Sequence, residues 1–420
     1  MPKVLVVGRG GREHALVRAL VQSGAEVLAT QPNPGMAQLA RAVAVAPGDI
    51  AGIVAIAKAE AVDLVVVGPE APLVAGLADA LRAAGIATFG PGADGARLEG
   101  SKAFAKEFMV RHRIPTAHHR TCHTAAEAHA HLRSVGAPIV VKADGLAAGK
   151  GVVVAQTVAE AAAAIDAMMK DRQFGAAGAT LVLEECLVGA EVSAMALCDG
   201  QRLLPLDLAR DHKRLRDGDQ GENTGGMGAV CPVPTVSAAE LARIRAEVLE
   251  PTLAGLQWDG VEFRGVIYAG IMLTKDGPKV LEYNVRFGDP EAEVLLPRLG
   301  PALYDLLLAA AHGDLSQAAL PPSQEAAVTV VLAAADYPLA PRTGDAITGI
   351  EAAEALAGGQ VFHAGTALEG GVLRTAGGRV LSVTGLGPSV AEATATAYRG
   401  VACIAFDGAQ FRSDIASSVR

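Results

Sequence analysis

The chain has 420 residues, of which 36 are basic and 45 acidic, and a net charge of −9. At about 150 residues per domain, this length predicts two to four compact units. The charges are well mixed, and every apolar stretch of about 18 residues is interrupted by a charge, Gly or Pro, so neither a nucleic-acid nor a membrane partner is expected. Five scattered cysteines without a C-x-x-C pair, and no visible export signal, predict a cytoplasmic location.

The first hundred residues alternate short β-branched runs with helical patterns. An amphipathic helix is predicted from Glu13 to Gln22, and strands are predicted at Lys3–Val7, Glu26–Thr30 and Val62–Val67. Strands that are apolar throughout are typical of a parallel sheet with helices on both faces. We therefore predict a doubly wound α/β domain over residues 1–100.

The middle of the chain contains a predicted small lobe. A helix is expected over Leu98–Arg113, and Pro115 ends it. Residues 121–186 then predict an α+β lid subdomain. Its expected elements are helices at Ala125–Val135 and Ala159–Met169 and strands at Ile139–Lys142, Val152–Ala155 and Thr180–Glu184.

Longer strands return after this lobe. Residues 101–120 and 187–324 predict a central domain with strands at Gly265–Leu273 and Lys279–Tyr283, and two adjacent prolines near Leu320 mark its end. Residues 325–420 predict a small strand-rich C-terminal domain with turns at Ala376–Gly378 and Gly385–Pro388. The expected fold class is therefore α/β and α+β multidomain.

The turn Gly8–His14 leaves a strand and opens a helix, where backbone N–H groups and the positive helix end favour an anion. A dinucleotide-binding loop would need glycine in place of Glu13, so an NAD-dependent dehydrogenase is disfavoured. A smaller phosphorylated ligand fits better, and a purely structural turn is the alternative. Glu70 follows a strand at the same carboxyl edge, where open α/β sheets bind ligands; a solvated loop carboxylate is its alternative.

A strand-borne lysine, Lys142, precedes a loop of small residues that ends in Lys150 and Gly151. Small residues let the backbone approach phosphates, and the lysines supply the countercharge, which indicates a nucleotide-phosphate site. The loop is not a Walker A motif, because Gly151 stands where Ser or Thr would be required. A flexible hairpin loop is the alternative.

Two further segments carry weaker signals. Glu184 to Leu187, followed by Glu191, would present a carboxylate and backbone groups to an adenosine, or form an acidic strand end at the surface. Asp211–Arg214 and the turn Gly221–Gly228 would hold an anionic substrate, or form a solvated loop. His212 is a candidate base, but a lone histidine among lysines is more often a positioning or surface residue.

The most specific signal is a strand that carries Glu282 and Asn284. Alternate residues project from one face of a strand, so two oxygen ligands lie side by side, which suits Mg²⁺ shared with phosphate oxygens. Arg286 continues this face, and a guanidinium beside a metal favours phosphoryl transfer. An amphipathic strand with its polar side in water is the alternative.

These segments together resemble the phosphoribosylamine–glycine ligase family of the ATP-grasp superfamily, essentially from end to end. Two departures lie near the predicted sugar-phosphate pocket: Arg9 stands where the family usually has Asn, and the turn at Pro32–Gly35 differs. The segments that carry the resemblance are GGREHAL at 10–16, VGPEAPLV at 67–74, EGSKAF at 99–104, KADGLAAGKGV at 142–152, DHKR at 211–214, NTGGMGA at 223–229, RFGDPE at 286–291, RTGD at 342–345 and FHAGT at 362–366.

The resemblance implies an N-terminal α/β domain, an ATP-grasp core with a lid that closes on ATP, and a small C-terminal domain. It also implies a role for individual residues. It assigns ATP to Lys102, Lys142, Gly149, Lys150, Gly151, Glu184, Cys186, Leu187 and Glu191; Mg²⁺ or Mn²⁺ to Glu282 and Asn284; 5-phosphoribosylamine to Gly10, Gly11, Arg12, Glu13, His14 and Glu70; and glycine with the reacting phosphoryl group to Asp211, Lys213, Gly225, Gly226 and Arg286.

The implied reaction is the ATP-dependent ligation of glycine to 5-phosphoribosylamine through glycyl phosphate, in de novo purine biosynthesis. One rival is a different ATP-grasp carboxylate–amine ligase, against which the DHKR and NTGGMGA segments count. A non-catalytic nucleotide sensor would have lost Glu282, Asn284 or the loop lysines, and all are present. We also expect a monomer, and a transient contact with the enzyme that supplies the amine, the latter only because the amine is labile.

Overall fold

The computed structural model describes residues 1–146, 151–322 and 325–419. The first part of the chain alternates strands and helices as the sequence predicts. Its strands are β1 (Lys3–Val7), β2 (Glu26–Thr30), β3 (Arg41–Val43), β4 (Leu64–Val67) and β5 (Thr88–Phe89), and its helices are α1 (Gly11–Gln22), α2 (Ile50–Ala59), α3 (Glu70–Val74), α4 (Leu77–Ala83) and α5 (Ala93–Gly100).

These five strands form one sheet in the order β3-β2-β1-β4-β5, and every neighbouring pair is parallel. Alternate residues of β1 enter two different cores: Leu5 and Val7 pack with α2 and α4, whereas Val4 and Val6 pack with α1. Both faces are therefore covered, which explains why the strand is apolar throughout. The predicted doubly wound sheet is confirmed.

The helix predicted over Leu98–Arg113 is in fact two helices, α5 and α6 (Lys102–Arg111). Ser101 lies between them in an extended conformation, with φ −142° and ψ 115°. Its hydroxyl accepts a hydrogen bond from the Phe104 amide at 3.1 Å, so it ends one helix and caps the next. The single-helix prediction was wrong because one extended residue barely disturbs the apolar periodicity.

The next segment forms a lobe with its own core. Its strands make an antiparallel sheet in the order β6-β9-β7-β8, and two helices pack on that sheet. This core is separate from the others, so the lobe is a compact unit, and we call it the lid. Its elements are β6 (His119–Cys122), α7 (Ala125–Val135), β7 (Ile139–Ala143), β8 (Val152–Ala155), α8 (Val158–Met169) and β9 (Leu181–Glu185).

The central segment contains a second antiparallel sheet, in the order β11-β10-β16-β17. Glu191 of β10 and Glu282 of β17 both flank the middle strand β16, opposite Met272 and Gly270. Its elements are β10 (Ala190–Asp199), β11 (Leu203–Pro205), β12 (Arg210–Asp211), β13 (Arg214–Arg216), β14 (Gln220–Asn223), β15 (Gly228–Cys231), α9 (Ala238–Ile244), α10 (Glu250–Trp258), β16 (Arg264–Thr274), β17 (Gly277–Asn284), α11 (Ala292–Leu299) and α12 (Leu303–His312).

The final segment completes a sheet that begins in the central one. Strands β12 and β15 join three C-terminal strands in the order β12-β15-β18-β22-β19. The predicted domain ranges 187–324 and 325–420 therefore share one sheet, and the boundary between them stays a prediction. The C-terminal elements are β18 (Ala326–Ala333), α13 (Ile350–Glu354), β19 (Gly359–His363), β20 (Thr366–Glu369), β21 (Val372–Thr375), β22 (Arg379–Gly387) and α14 (Val390–Cys403).

The turn predicted at Gly385–Pro388 is largely strand, since β22 continues to Gly387. A Cβ atom at position 385 would lie 2.2 Å from the carbonyl oxygen of Ala393 in α14. This glycine therefore permits the close approach of helix and strand, and it does not mark a turn.

The segment Ala292–His312 has the length and apolarity of a membrane-crossing helix. It is divided into α11 and α12 by a short 3-10 turn at Gly300–Ala302. Its leucines, such as Leu296 and Leu307, are buried in the core that contains α1. The segment is therefore a pair of core helices in this fold.

Candidate active site

A cavity of about 860 Å³ lies between the lid and the central sheet. Helix α6, the lid strands β7 and β9, the core strands β10 and β17 and the β13–β14 hairpin all contribute to its wall. Of the residues predicted from the sequence, it is lined by Arg12, Glu70, Lys102, Lys142, Gly151, Glu184, Cys186, Leu187, Glu191, Asp211, Lys213, Gly225, Glu282, Asn284 and Arg286.

A cluster of buried charges joins the lid to the core at one end of the cavity. The Glu184 carboxylate lies 2.9 Å from Lys106 Nζ on α6 and 3.0 Å from Lys142 Nζ on β7. Lys142 also donates to the Leu281 carbonyl at 2.9 Å, and Lys106 donates to the Thr116 hydroxyl at 2.7 Å. Burial lowers the pKa of Lys106 to about 8 despite the attraction of Glu184.

The predicted metal ligands lie at the middle of the cavity. Lys213 Nζ lies 2.8 Å from the Glu191 carboxylate and 3.6 Å from that of Glu282. Burial alone would raise the pKa of Glu282, but the charges of Lys213, Lys142 and Lys102 lower it to about 2. Glu282 is therefore ionised at every physiological pH, and the Asn284 side chain lines the same wall.

Arg286 is held by two carboxylates on the N-terminal side of the cavity. Its Nη2 donates to Glu99 at 2.6 Å, and its Nε donates to Glu70 at 3.4 Å. Burial opposes the charge of this guanidinium, but Glu99 and Glu70 outweigh it and raise its pKa. The fixed, permanently charged guanidinium is suited to stabilising negative charge that develops in the cavity.

Glu291, which lies near Asp211, accepts hydrogen bonds from two hydroxyl groups. Ser193 Oγ donates to Glu291 at 2.8 Å, and the Tyr268 hydroxyl also donates to Glu291. Burial and the nearby Glu291 raise the pKa of Asp211 well above its ordinary value. Its Oδ1 has no hydrogen-bond partner among the described residues.

The N-terminal turn reaches the cavity only through Arg12. Gly10, Gly11, Glu13 and His14 do not line it. Glu13 accepts from the Gly10 amide at 2.6 Å, and His14 Nδ1 accepts from the His363 amide at 2.8 Å. The side chains of Glu13 and His14 therefore accept hydrogen bonds from main-chain amides of the protein itself.

Gly226 lies behind the wall, where a Cβ atom would come 2.6 Å from Asp211 Oδ1. Gly149 and Lys150 lie outside the described residues.

His212, a candidate base or surface residue, is buried. Burial and the charge of Arg412 lower its pKa to about 4, so it is neutral near pH 7. Its Nε2 accepts from the Ala416 amide at 3.4 Å.

Several cavity residues were not among the predicted site residues: Glu99, Lys106, Asp289, Glu291 and Arg379. Four lie in or near quoted segments, since Glu99 opens EGSKAF, Lys106 follows it, and Asp289 and Glu291 belong to RFGDPE. Lysines are mostly exposed in proteins, yet the Lys106 side chain is only 2% exposed. Arg379 had no local signal, because it reaches the cavity from the C-terminal strand β22.

A lid lobe over a cleft that combines lysines with a carboxylate–amide pair on a core strand defines an ATP-grasp fold. The biotin carboxylase domain of Hydrogenobacter thermophilus 2-oxoglutarate carboxylase, solved with ADP, its magnesium salt and bicarbonate, shares this fold. The TM-score is 0.75, with 97% of this chain and 91% of that one covered at 18% identity. At this level of identity, the likeness concerns the fold alone.

The chain belongs to the phosphoribosylglycinamide synthetase family. Models of the family's N domain, ATP-grasp (A) domain and C domain match residues 2–99, 100–292 and 327–418. A phosphoribosylamine–glycine ligase from Brucella melitensis is 49% identical over 98% of this chain and 97% of its own length. The crystal structure of the Thermotoga maritima phosphoribosylamine–glycine ligase matches with a TM-score of 0.86 and 35% identity, covering 98% and 100% of the two chains. The predicted resemblance is confirmed.

Proposed function

We propose that this chain catalyses the ATP-dependent joining of glycine to 5-phosphoribosylamine, giving glycinamide ribonucleotide, ADP and phosphate. Its relatives of nearly the same length bear the name of this ligase. The observation that carries the proposal is that Lys142 of the lid, the Glu282–Asn284 pair and Arg286 line one cavity of about 860 Å³. Phosphoryl transfer is mainly a matter of positioning and neutralising charge, and this cavity provides both.

The side chains present fit a divalent cation. Glu282 and Asn284 offer a carboxylate and an amide oxygen, and the low pKa of Glu282 keeps protons from competing for it. Among the described residues no group of three or more His, Cys, Asp or Glu forms a metal cluster. A site with few protein ligands suits Mg²⁺, or Mn²⁺, which completes its shell with phosphate oxygens and water. When bound, the ion would neutralise charge on the phosphates.

The proposed first step transfers the γ-phosphoryl group. A glycine carboxylate oxygen attacks the γ-phosphorus, the bond to the ADP oxygen breaks, and glycyl phosphate forms. Lys102 and Lys142 would hold the ATP phosphates, with Glu184, Cys186, Leu187 and Glu191 around adenine and ribose. Lys213 and Arg286 would stabilise the charge that develops on the transferred group.

The proposed second step forms the amide. The amine nitrogen of 5-phosphoribosylamine attacks the carbonyl carbon of glycyl phosphate. The bond between this carbon and the phosphate oxygen breaks, phosphate leaves, and the nitrogen loses a proton. No covalent bond to the enzyme is required. Arg12 and Glu70 line the end of the cavity beside Arg286, which supports this end as the sugar-phosphate site.

The proposal is tested by measuring phosphate release from ATP and Mg²⁺ with glycine, with and without freshly generated 5-phosphoribosylamine. We expect release to need both substrates, to yield glycinamide ribonucleotide by mass spectrometry, and to be lost in Glu282→Ala. Glu369→Ala, an exposed carboxylate outside the cavity, is the matched control and should keep full activity. Release that is indifferent to 5-phosphoribosylamine would assign another acceptor, and no release would leave only nucleotide binding.

Three predictions from the sequence remain proposals: a monomer, a cytoplasmic location, and transient contact with the enzyme that supplies the amine. Light scattering at micromolar concentration tests the first. For the last, complete interception of the amine by an inert trap during the coupled reaction would exclude direct transfer.

A further inference from the structure

The last described residues of the chain form a strap across the central segment. We define the C-terminal strap as residues 409–419. Arg412 in this strap is 2% exposed and is the largest fully buried side chain of the described residues. A buried guanidinium must have partners for each of its donors, so its contacts indicate what the strap holds.

Arg412 forms hydrogen bonds with the β13–β14 hairpin. Its Nη1 donates to Asp219 at 2.6 Å and to the Arg214 carbonyl at 3.3 Å. Its Nε and Nη2 donate to Asp414 of the strap, both at 2.7 Å. The Asp414 carboxylate in turn accepts from the Gly218 amide at 2.8 Å. One side chain thus ties the strap to the base and the tip of the hairpin.

Neighbouring strap residues reinforce this attachment. The Ser413 amide donates to Asp217 at 2.8 Å, and the Ala416 amide donates to His212 Nε2 at 3.4 Å. Ile415 is fully buried and packs where Gly228 leaves room, since a Cβ atom there would lie 2.9 Å from Ile415 Cδ1. The strap therefore contacts the hairpin, its tip and the strand that follows.

The hairpin carries one wall of the active-site cavity. Lys213 lies at its start, between His212 and Arg214, and its ammonium group contacts Glu191 and Glu282. Asn223 and Thr224, at its end, also line the cavity. The hairpin forms a separate two-stranded sheet. Main-chain hydrogen bonds of His212 with Gly228 and Met227 hold its base, so the strap contacts are what fix the part beyond this base.

We infer that Arg412 is a positioning residue for the ligase reaction, because it fixes through the β13–β14 hairpin the place of Lys213 in the cavity. The inference rests on the proposed function, in which Lys213 meets glycine and the transferred phosphoryl group. A displacement of about 1 Å at a reacting group lowers rates by up to about 100-fold. Nucleotide binding in the proposed function depends instead on Lys102 and Lys142, whose side-chain polar contacts among the described residues go to Gly145, Leu281 and Glu184 and not to the strap.

The test compares purified full-length Arg412→Met, Arg412→Lys and Lys213→Met with the wild type. We expect Arg412→Met to lower kcat/KM for glycine by about 10- to 100-fold, with the affinity for a fluorescent ATP analogue unchanged and Arg412→Lys intermediate. The control is Arg243→Met. Arg243 lies outside the cavity, and it also donates to one carboxylate, Glu247, through two nitrogens and to one main-chain carbonyl, that of Asp276. Thermal melts verify folding. If Arg412→Met does not fold, Arg412→Lys and Asp219→Asn carry the same comparison.

A double variant separates positioning from general stability. If Arg412 acts through Lys213, Arg412→Met in the Lys213→Met background should cause no further loss of activity. Losses that multiply, an equal loss of nucleotide affinity, or undiminished activity in the Arg412 variants would overturn the inference. Ligase activity of the wild type and a large but still measurable decrease in Lys213→Met test the proposed function separately, so the two failures are distinguishable.

Discussion

The Lys106–Glu184–Lys142 cluster places three charges where water is nearly excluded. Glu184 and Lys106 are each 2% exposed. Desolvating buried charges costs several kcal/mol, and their attraction repays this cost only when each charge keeps its partners. We therefore expect the cluster to maintain the geometry of the cavity and to add little net stability.

Removing two members of the cluster should be less harmful than the sum of removing each alone. We expect Lys106→Met and Glu184→Gln each to lower the free energy of unfolding by roughly 3 kcal/mol, because a buried charge loses a partner. The double variant should lose less than the sum of the two changes. Urea unfolding measures all three; strictly additive losses would contradict the interpretation, and the exposed pair Arg243–Glu247 serves as a control with little effect.

A hydrogen bond joins two histidines where the N-terminal turn meets the C-terminal strand β19. His363 donates its amide to His14 Nδ1 at 2.8 Å, and its own Nδ1 lies 3.0 Å from Thr366 Oγ1. Asn33 donates to the His363 carbonyl at 2.7 Å and to that of Arg9 at 2.9 Å. Burial lowers the pKa of His363 to about 4.

This shift predicts a loss of stability in mild acid. The unfolded chain binds a proton at His363 near pH 6.5 and the folded chain only near 4, so stability should fall by about 3 kcal/mol between these pH values. Urea unfolding between pH 7 and 4 should show a smaller acid loss in His363→Asn than in the wild type. His118→Asn, at an exposed site, is the control; equal slopes in all three proteins would refute the assignment.

At the scale of elements, glycines in β22 allow α14 to lie directly on the sheet. A Cβ atom at position 385 would meet the main chain of α14 at 2.2 Å, and the main chain cannot rotate away as a side chain can. We expect Gly385→Ala to lower the free energy of unfolding by about 1–3 kcal/mol or more. Gly48→Ala, where a Cβ atom meets nothing within 4 Å, should be nearly neutral in the same urea experiment. Equal effects would show that α14 shifts easily.

The positions of the β13–β14 hairpin and of helix α6 each depend on one neighbouring feature of the structure. The hairpin is held by the C-terminal strap, through the Arg412 contacts with Asp219 and the Arg214 carbonyl. Ser101 separates α5 from α6 and so directs Lys102 toward the cavity, where its ammonium lies 3.4 Å from the Gly145 carbonyl of the lid. Both features position lysines that line the cavity.

At the scale of the whole molecule, the lid and the C-terminal segment are attached in different ways. The lid has its own sheet and its own core, centred on residues such as Leu132 and Ile165. The C-terminal strands instead share a sheet with β12 and β15, through pairs such as Val230 with Val328. An edge left without its partner strand exposes unpaired backbone groups.

Deletions should reveal this difference. Replacing residues 121–186 with a short Gly-Ser linker should leave a protein that unfolds cooperatively but no longer releases phosphate from ATP in the presence of both substrates. A chain of residues 1–324 should aggregate or lack a cooperative transition, because β15 loses β18 as its neighbour. Thermal melts and size-exclusion chromatography check both. A monomeric, cooperatively folded 1–324 would show that the shared sheet is dispensable.

Local patterns in the sequence were sufficient for most elements and for the family. Strands β1, β2 and β8 and helix α7 have the predicted bounds, because apolar alternation and the 3.6-residue period act within a few neighbouring residues. The pairing of Glu282 with Asn284 on one face follows in the same way from the two-residue period of a strand. Contiguous segments such as RFGDPE carried the resemblance to the family.

Tertiary structure alone decided which distant residues meet. The Lys142 ammonium bonds to a carbonyl 139 positions away, and Arg412 bonds to one 198 positions away. It also decided that Ser101 breaks a helix, that Gly385 lies inside a strand, and that Glu184 is shared by Lys106 and Lys142. Local periodicity records only the side of an element that is buried, whereas these partners are selected by the packing of whole elements against one another.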